Sequence, residues 1–318
     1  MNQAGRVSVV IVNYNGEAFI GDCLNSLLGD ENVCEIIVVD NASKDGSLEY
    51  LGRRFPDVTL LQSTGNIGFG RACNLGAEKA KGEFLLLLNY DAELGSRLEG
   101  AINYLDAHPE TGMLGGRITY PDGRMQPSIG RSMVPIRLAC SWLSLSRWFP
   151  RNSWLSQEIL DVDWYLTAHK SVDWVTGALM LIRRTSWERV GGMDPAFFLY
   201  VEDVDLCERL KASGASLDYS PVFSARHRKG GGAEIVSPRA LMSSIDSYDT
   251  YLSKHHGHIV VSVTLASIGI IFSLRALAMA LRLWRGDRSR AEARTYLMAA
   301  RRAFRLSAGV KFPWGPPI

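Results

Sequence analysis

Five short aliphatic runs, at residues 7–12, 35–39, 58–61, 84–88 and 113–118, alternate with amphipathic stretches of helical spacing. That rhythm leaves few folds open. Runs of four to six branched or aliphatic residues read as strands, the stretches between them as crossover helices, and repeated crossovers build a parallel sheet. The first four runs end in polar loops: Asn13-Tyr14-Asn15-Gly16, Asp40-Asn41-Ala42-Ser43, Gly65-Asn66-Ile67-Gly68 and Asn89-Tyr90-Asp91. Ligands of open α/β sheets bind beyond the carboxyl ends of the strands, so the residues able to do chemistry gather where a site forms. The expected fold class is α/β, with a mostly parallel central sheet flanked by helices.

Further along, Pro121-Asp122-Gly123 marks a hairpin turn. Residues 127–172 are aromatic and irregular. A strand is expected at 175–182, a helix at 185–190, a loop at 191–200, and helices at 204–212 and 238–254. The chain has 318 residues, enough for one or two domains. The expected division is a catalytic domain at 1–235, with halves 1–118 and 119–235, and a helical region at 236–318.

The tail differs in character. Residues 259–274 carry no charge, and Arg275, Arg282 and Arg285 follow. Sixteen uncharged positions fall short of the roughly 18 to 20 of a clear membrane span. Gly286 breaks the pattern, and Ser289-x-x-Glu292 reads as a capping box opening a second helix. On that helix Arg290, Arg294, Arg301 and Arg305 share one face, while Leu297, Ala300 and Phe304 share another. Net charge is +2, yet residues 275–305 hold nine Arg against Asp287 and Glu292, a local +7 that leaves −5 elsewhere. Such asymmetry points to an anionic partner for the tail and away from a nucleic-acid-coating protein. An amphipathic basic hairpin in the headgroup region of a membrane is expected, with a soluble helical pair packed on the catalytic domain as the alternative.

The five cysteines, Cys23, Cys34, Cys73, Cys140 and Cys207, contain no C-x-x-C pair. Neither a disulfide framework nor a zinc site is suggested, and a reducing cytosol is the simpler home. The run at 7–12 is too short for a signal-peptide core, so nothing marks the catalytic part for export.

Asn89-Tyr90-Asp91 closes the run Phe-Leu-Leu-Leu-Leu, which reads as a strand buried on both faces. A carboxylate at its carboxyl end can reach a divalent cation. Mg²⁺ or Mn²⁺ held by one or two carboxylates plus substrate phosphates is the usual arrangement where a diphosphate leaves. On this motif alone, a turn Asp that caps the next helix is an equal alternative.

In order, Val9-Val10-Ile11-Val12-Asn13-Tyr14-Asn15, Val38-Val39-Asp40-Asn41-Ala42-Ser43, Gly65-Asn66-Ile67-Gly68-Phe69 and Leu88-Asn89-Tyr90-Asp91 resemble the successive motifs of family 2 glycosyltransferases with the Rossmann-like GT-A fold. The likeness continues through Phe197-Phe198-Leu199-Tyr200-Val201-Glu202-Asp203-Val204-Asp205-Leu206 to His227 and its three following glycines, covering about residues 6–230. It implies an inverting, metal-dependent transferase with Mg²⁺ or Mn²⁺ as cofactor. It also implies that Asn13, Tyr14, Asn15, Asp40, Asn41, Ser43, Asn66, Gly68, Asn89 and Asp91 bind a nucleotide-diphosphate sugar. Asp91 matches the metal-binding acid of the family's Asp-x-Asp motif, whose first member is here Asn89 and whose middle residue is Tyr90. His227 matches a second metal ligand or diphosphate contact. In Glu202-Asp203 the second acid matches the general base, and helix-dipole pairing is the bland alternative for both. Asp205, Arg209 and Arg228 are candidates for acceptor or diphosphate contact; an i, i+4 ion pair is the plain reading of Asp205 and Arg209. Residues 127–172 are read as an insertion facing the acceptor.

Processive relatives carry Gln-x-x-Arg-Trp after the Glu-Asp motif. The nearest string here, Ser144-Leu145-Ser146-Arg147-Trp148, lacks the Gln and precedes Glu202, so single-sugar transfer is implied. Within the family the likeness is to rhamnosyltransferases of cell-wall linkers or O-antigen, which implies dTDP-L-rhamnose as donor, a polyprenyl-diphosphate-linked or glycan acceptor, and a cytoplasmic enzyme peripheral to the inner membrane face. UDP- or GDP-sugars remain open as donors, as do a sugar nucleotidyltransferase and a catalytically silent membrane scaffold. The oligomeric state is left open.

Overall fold

A computed structural model describes residues 5–149, 151–228, 237–281 and 287–310, with backbone alone at 147 and 287–289. The opening runs form β1 (Val7–Asn13), α1 (Ile20–Leu27), β2 (Val33–Asp40), α2 (Ser47–Arg54), β3 (Thr59–Gln62), α3 (Phe69–Ala77), β4 (Phe84–Leu88), β5 (Ala92–Leu94) and α4 (Glu99–Ala107). After them come β6 (Thr111–Thr119), β7 (Met125–Gln126), β8 (Ile129–Gly130), α5 (Pro135–Trp142), β9 (Trp174–Val175), β10 (Leu179–Arg183), α6 (Arg184–Val190), α7 (Glu202–Ala212) and β11 (Ser216–His227).

The main sheet runs β3-β2-β1-β4-β10-β6-β11-β5, with β7 paired to β6 as the expected hairpin. Strands β3, β2, β1 and β4 are parallel, and β11 is parallel to β6. Strand β10 is antiparallel to both of its neighbours, and β5 to β11. Position in the sheet explains composition. β1 and β4 lie inside it and are buried at every residue, so they read as almost wholly apolar runs, with Ser8 and the terminal Asn13 of β1 as the polar exceptions. β3 lies at the edge and is only half covered. The β1–β2 register sets Asn13 opposite Asp40, which brings two of the polar strand ends side by side.

The strand expected at 175–182 is two strands. Trp174–Val175 pairs with β8 in a small second sheet, while Leu179–Arg183 enters the main sheet between β4 and β6. The break comes where Thr176 N–H donates to the Ser128 carbonyl and Gly177 N–H to a side chain on α7, so neither is free to continue a ladder.

The chain divides into two compact units. One comprises Met1–Ser132, Glu158–Phe198 and Glu202–Ala233; the other comprises Met133–Gln157, Leu199–Val201 and Glu234–Ile318. The second holds α5, a 3₁₀ turn (Leu145–Arg147), α8 (Pro238–His255), α9 (His258–Ala280) and α10 (Asp287–Ser307). Part of the 127–172 stretch is thus built into the helical unit. Its aromatic residue Trp142 meets Phe272 of α9 edge-on at 4.8 Å.

Three expectations for the tail change. Helix α9 is longer than the charge-free run, because Arg275 lies inside it, and its 23 residues are long and apolar enough to cross a bilayer by length and composition. Helix α10 begins two residues ahead of Ser289, the expected cap. Its buried seam is Ala299, Ala300, Ala303 and Leu306, whereas Leu297 and Phe304 are exposed like Arg290, Arg294, Arg301 and Arg305. Small side chains let α9 and α10 approach closely: a methyl group at Gly269 of α9 would stand 2.9 Å from the Phe304 ring. Arg302 clamps α10 to α8 through paired bonds of 2.7 and 2.9 Å to Asp246. Arg282, Arg285 and Gly286 lie outside the described residues.

Candidate functional site

Asp91, one loop past the fully buried β4, and His227, the last residue of β11, converge from positions 136 residues apart. Asp91 Oδ1 and His227 Nε2 are 3.1 Å from one another, and both side chains are buried. The antiparallel β5–β11 ladder, in which Ala92 faces His227, makes the meeting obligatory. Asn89 Nδ2 lies 3.2 Å from the same imidazole nitrogen. On the far side of the ring, the amide of Gln126 stands at His227 Nδ1, its nitrogen at 3.0 Å and its oxygen at 3.2 Å. An amide that offers a donor and an acceptor to Nδ1 can serve either imidazole tautomer. With the Gln126 oxygen accepting from Nδ1–H, the Nε2 lone pair faces both the Asn89 amide, a donor, and the Asp91 carboxylate, a nitrogen and an oxygen that a cation could share.

The residues present therefore fit a divalent cation. One carboxylate oxygen and one imidazole nitrogen suit Mn²⁺ or Mg²⁺, and a second-sphere amide orients the ring. Among the described residues, no three His, Cys, Asp or Glu side chains gather into a metal cage; a cation held by this pair would take its remaining ligands from substrate oxygens or water. Gln126 carries no motif; it was missed because it stands on a two-residue strand that pairs with β6 only after the hairpin.

Asp203 stands on the first turn of α7. Its Oδ2 accepts from Gly177 N–H at 2.9 Å and its Oδ1 from Val204 N–H at 2.9 Å. The next residue, Ala178, receives the Asn89 N–H at its carbonyl, at 3.2 Å. Asp203 and the loop of Asp91 are thus joined by the 177–178 link, two hydrogen bonds with one peptide between them. Burial lifts the Asp203 carboxyl above the ordinary carboxylate range, against the two N–H donors that pull it down. Glu202 is nearly fully buried and turns elsewhere, its Cβ 3.7 Å from where a side chain on Gly70 of α3 would begin. The turn into α7 is strained: Tyr200 and Val201 have φ of 71° and 69°, unusual for an aromatic and a β-branched residue.

The other strand ends form a connected polar shelf. Asn13 is fully buried and donates to Asp40 at 2.9 Å, Ser43 at 3.1 Å and Ser47 at 2.9 Å, so it organises the shelf from beneath. Asp40 also accepts from Ser43 N–H at 3.0 Å and is buried. Asn15 is exposed, its φ of 53° in the left-handed region, and Tyr14 is half-buried. Asn41 accepts from Ile67 N–H at 2.9 Å and donates to Asn66 Oδ1 at 3.2 Å, shaping the third loop. Gly68 in that loop has φ of 91°, and a methyl group there would sit 2.4 Å from the Phe198 carbonyl oxygen. Only glycine fits.

The three candidates for acceptor or diphosphate contact, Asp205, Arg209 and Arg228, have structural partners. Asp205 is fully buried and paired with Arg209 at 2.7 Å, and the same guanidinium reaches the Val190 and Gly192 carbonyls at 3.0 and 2.7 Å. This is the plain ion-pair reading, and it pins α7 to the turn after α6. Arg228 donates its backbone N–H to the Asp91 carbonyl at 3.0 Å and extends its side chain toward Asp22 and Glu93, both at 3.4 Å. Arg226 also pairs with Glu93. Lys229 and the three glycines after His227 lie outside the described residues. A surface cavity of about 410 Å³, lined by Asn74, Glu78, Arg184 and Trp187 among others, sits beside the amino end of β4, at the opposite end of that strand from Asp91.

The model of the family described as glycosyl transferase family 2 matches residues 8–173. An N-acetylglucosaminyl-diphospho-decaprenol L-rhamnosyltransferase of Mycobacterium tuberculosis is 31% identical over 237 residues, which are 70% of this chain and 75% of that protein. The rhamnosyltransferase WbbL of Escherichia coli is 27% identical over 70% of this chain and 83% of its own. Among solved structures, a mannosyltransferase of Pyrobaculum calidifontis in complex with GDP-Man and Mn²⁺ superposes with a TM-score of 0.55 at 19% identity, covering 94% of this chain and 86% of that one. The last likeness speaks to the fold, which is GT-A. A family match over more than half of the chain, a relative of this identity, and strand-end motifs that meet at one end of one sheet lead to a single assignment: the chain belongs to glycosyl transferase family 2 and is a glycosyltransferase.

Proposed function

We propose that the protein transfers L-rhamnose from dTDP-L-rhamnose, with inversion and one sugar at a time, to a polyprenyl-diphosphate-linked or glycan acceptor in cell-envelope glycan synthesis. The observation that carries the reading is the 177–178 link, which holds the Asp203 carboxylate beside the loop bearing Asp91. The nucleotide occupies the shelf of Tyr14, Asn15, Asp40, Asn41, Ser43, Asn66 and Gly68, with Asn13 beneath it, and its diphosphate lies at Asn89, Asp91 and His227. Asp91 and His227 would hold Mn²⁺ or Mg²⁺, which when bound would supply positive charge for the departing diphosphate.

Asp203 then takes the proton of the acceptor hydroxyl as that oxygen bonds to the anomeric carbon. The bond from that carbon to the diphosphate oxygen breaks, and the nucleoside diphosphate leaves with the electron pair. Direct displacement needs one base on the face opposite the leaving group, and a carboxylate raised above its ordinary pKa is better matched to a neutral solution than an unperturbed one. Glu202, buried beside α3, positions the first turn of α7. Support for the sugar and acceptor comes from the Mycobacterium tuberculosis relative, whose name specifies L-rhamnose and a diphospho-decaprenol. The exposed Arg face of α10 and the apolar α9 support a cytoplasmic enzyme held peripherally at the anionic inner face of the membrane.

Release of nucleoside diphosphate, assayed with dTDP-L-rhamnose, UDP-galactose, UDP-N-acetylglucosamine and GDP-mannose in the presence of Mn²⁺, tests the donor. Turnover is expected with dTDP-L-rhamnose above the others. Turnover of UDP-galactose or GDP-mannose with none of dTDP-L-rhamnose would overturn the assignment.

A further inference from the structure

The unit containing α5 and α8 to α10 exposes more large apolar surface than its own folding explains. Trp148 is 80% exposed, Trp154 68%, Phe149 57% and Leu143 50%. Large exposed patches of this kind mark interaction surfaces. The segment is firmly tied to α9. The Arg275 guanidinium donates to the Trp142 carbonyl and to Ser144 Oγ, and it lies between the Trp142 and Tyr296 rings at 5.8 and 5.7 Å. Where these elements meet, each carries an exposed leucine at the adjacent position: Leu143, Leu274 and Leu297.

Helix α9 adds a stripe to this surface. Ile259, Val263, Ile270, Leu274 and Leu277 are all more than half exposed and follow helical spacing. At 1.5 Å per residue the stripe is about 27 Å long. Basic residues accompany it. Arg290, Arg294, Arg301 and Arg305 of α10 are exposed, Arg151 lies within the aromatic segment, and the Arg137 guanidinium stands 5.8 Å over the Trp154 ring.

Charge decides the occupant. A second copy docked on the same face would bring four arginines against their own symmetry mates, and the core of a protein interface is depleted of charge. Apolar side chains interleaved with Arg, and Trp set where ring and N–H can divide between oil and water, match the headgroup zone of an anionic bilayer. We propose that residues 143–154 are an interfacial membrane anchor, with Trp148, Phe149 and Trp154 inserting beside α9. This rests on the peripheral-membrane reading above and adds to it a second, aromatic contact that salt does not screen.

The test uses the full-length protein and vesicles of phosphatidylcholine mixed with phosphatidylglycerol, at high salt, where the arginine contribution is screened. The variant Trp148→Ser/Phe149→Ser/Trp154→Ser is compared with the unaltered chain by flotation, and its melting temperature confirms the fold. A loss of at least about tenfold in partitioning is expected, from three large side chains left in water. Brominated lipids, added to the unaltered protein, are expected to quench tryptophan fluorescence to an extent that falls when Trp148 and Trp154 are replaced by Phe. If the unaltered protein floats with vesicles while the triple variant partitions equally and bromolipid quenching ignores those two tryptophans, the anchor is wrong and the arginine-based membrane reading survives. If the unaltered protein floats with vesicles at low salt and not at high salt, the anchor is wrong and the arginine-based reading stands; if it floats with no vesicles at low salt either, both fall. A variant that changes the oligomeric state while vesicle binding is unaltered overturns the anchor in favour of a protein partner.

Discussion

Replacing Asp203 with Asn is expected to lower the rate of sugar transfer by about 10²- to 10⁴-fold, the usual worth of a positioned general base. The amide has the carboxylate's shape and keeps one acceptor oxygen, so it holds one of the Gly177 and Val204 N–H groups, which reach separate carboxylate oxygens at 2.9 Å each. The other faces the new NH₂ at a cost of about 1–3 kcal/mol, and an unshifted far-ultraviolet spectrum and donor affinity check that the fold and the donor shelf persist. The loss should therefore fall on kcat, with the KM for the donor nearly unchanged. The pH dependence supplies a second signature. Burial raises the Asp203 carboxyl above the usual carboxylate range. A base acts only when deprotonated, so kcat/KM should climb as pH rises through that raised value, on an acidic limb placed higher than an unperturbed Asp would give. In the Asn variant that limb should vanish. Nucleoside diphosphate release measured across pH reads both effects, and an Asn variant with wild-type turnover would leave Asp203 with a purely structural role.

Replacing Asp91 with Ala is expected to be at least as damaging, for a different reason. In the proposed cation site Asp91 and His227 are the protein ligands, so removing the carboxylate would leave His227 alone and deprive the diphosphate of several kcal/mol of charge stabilisation, about 10³-fold in rate. Calorimetric titration of Mn²⁺ with nucleoside diphosphate should show affinity falling by about 100-fold or more, since changes even outside the coordinating set typically cost 10- to 100-fold. Asp203→Asn should leave that titration unchanged. Opposite outcomes for the two variants in one binding assay would separate the cation-binding group from the base.

The strand-end chemistry was legible because a parallel sheet gathers its loops at one end, so Asn13, Asp40, Asn66 and Asp91 had to be neighbours once the alternation was read. The union of Asp91 and His227 rested on resemblance, since nothing local in the sequence announces that β11 returns antiparallel beside β5. What was missed has specific causes. Thr176-Gly177-Ala178 is hidden in an aliphatic run, and the break is set by a hydrogen bond from Gly177 to α7, a contact 26 residues distant. The buried network around Asn13 was not legible either: its amide nitrogen meets Asp40 at the end of β2, Ser43 in the loop and Ser47 at the start of α2, partners that are set by the parallel β1–β2 register. On α10, helical spacing groups Leu297, Ala300 and Phe304 on one face, whereas the packed helix buries Ala299, Ala300, Ala303 and Leu306, lays the partly exposed Phe304 ring against Gly269 of α9 and leaves Leu297 exposed.

In the proposed mechanism one cleft would hold a cation at Asp91 and His227 while Asp203 faces the acceptor from the other side of the sugar. Anomalous diffraction from crystals grown with Mn²⁺ and dTDP would locate the cation and the diphosphate relative to all three side chains. The predicted result is a single manganese peak within coordinating distance of Asp91 and His227 Nε2, bridged to the diphosphate, with the β-phosphate directed toward the side of the cleft that Asp203 lines. A manganese and diphosphate bound away from both side chains, or with Asp203 beyond any possible acceptor position, would contradict it.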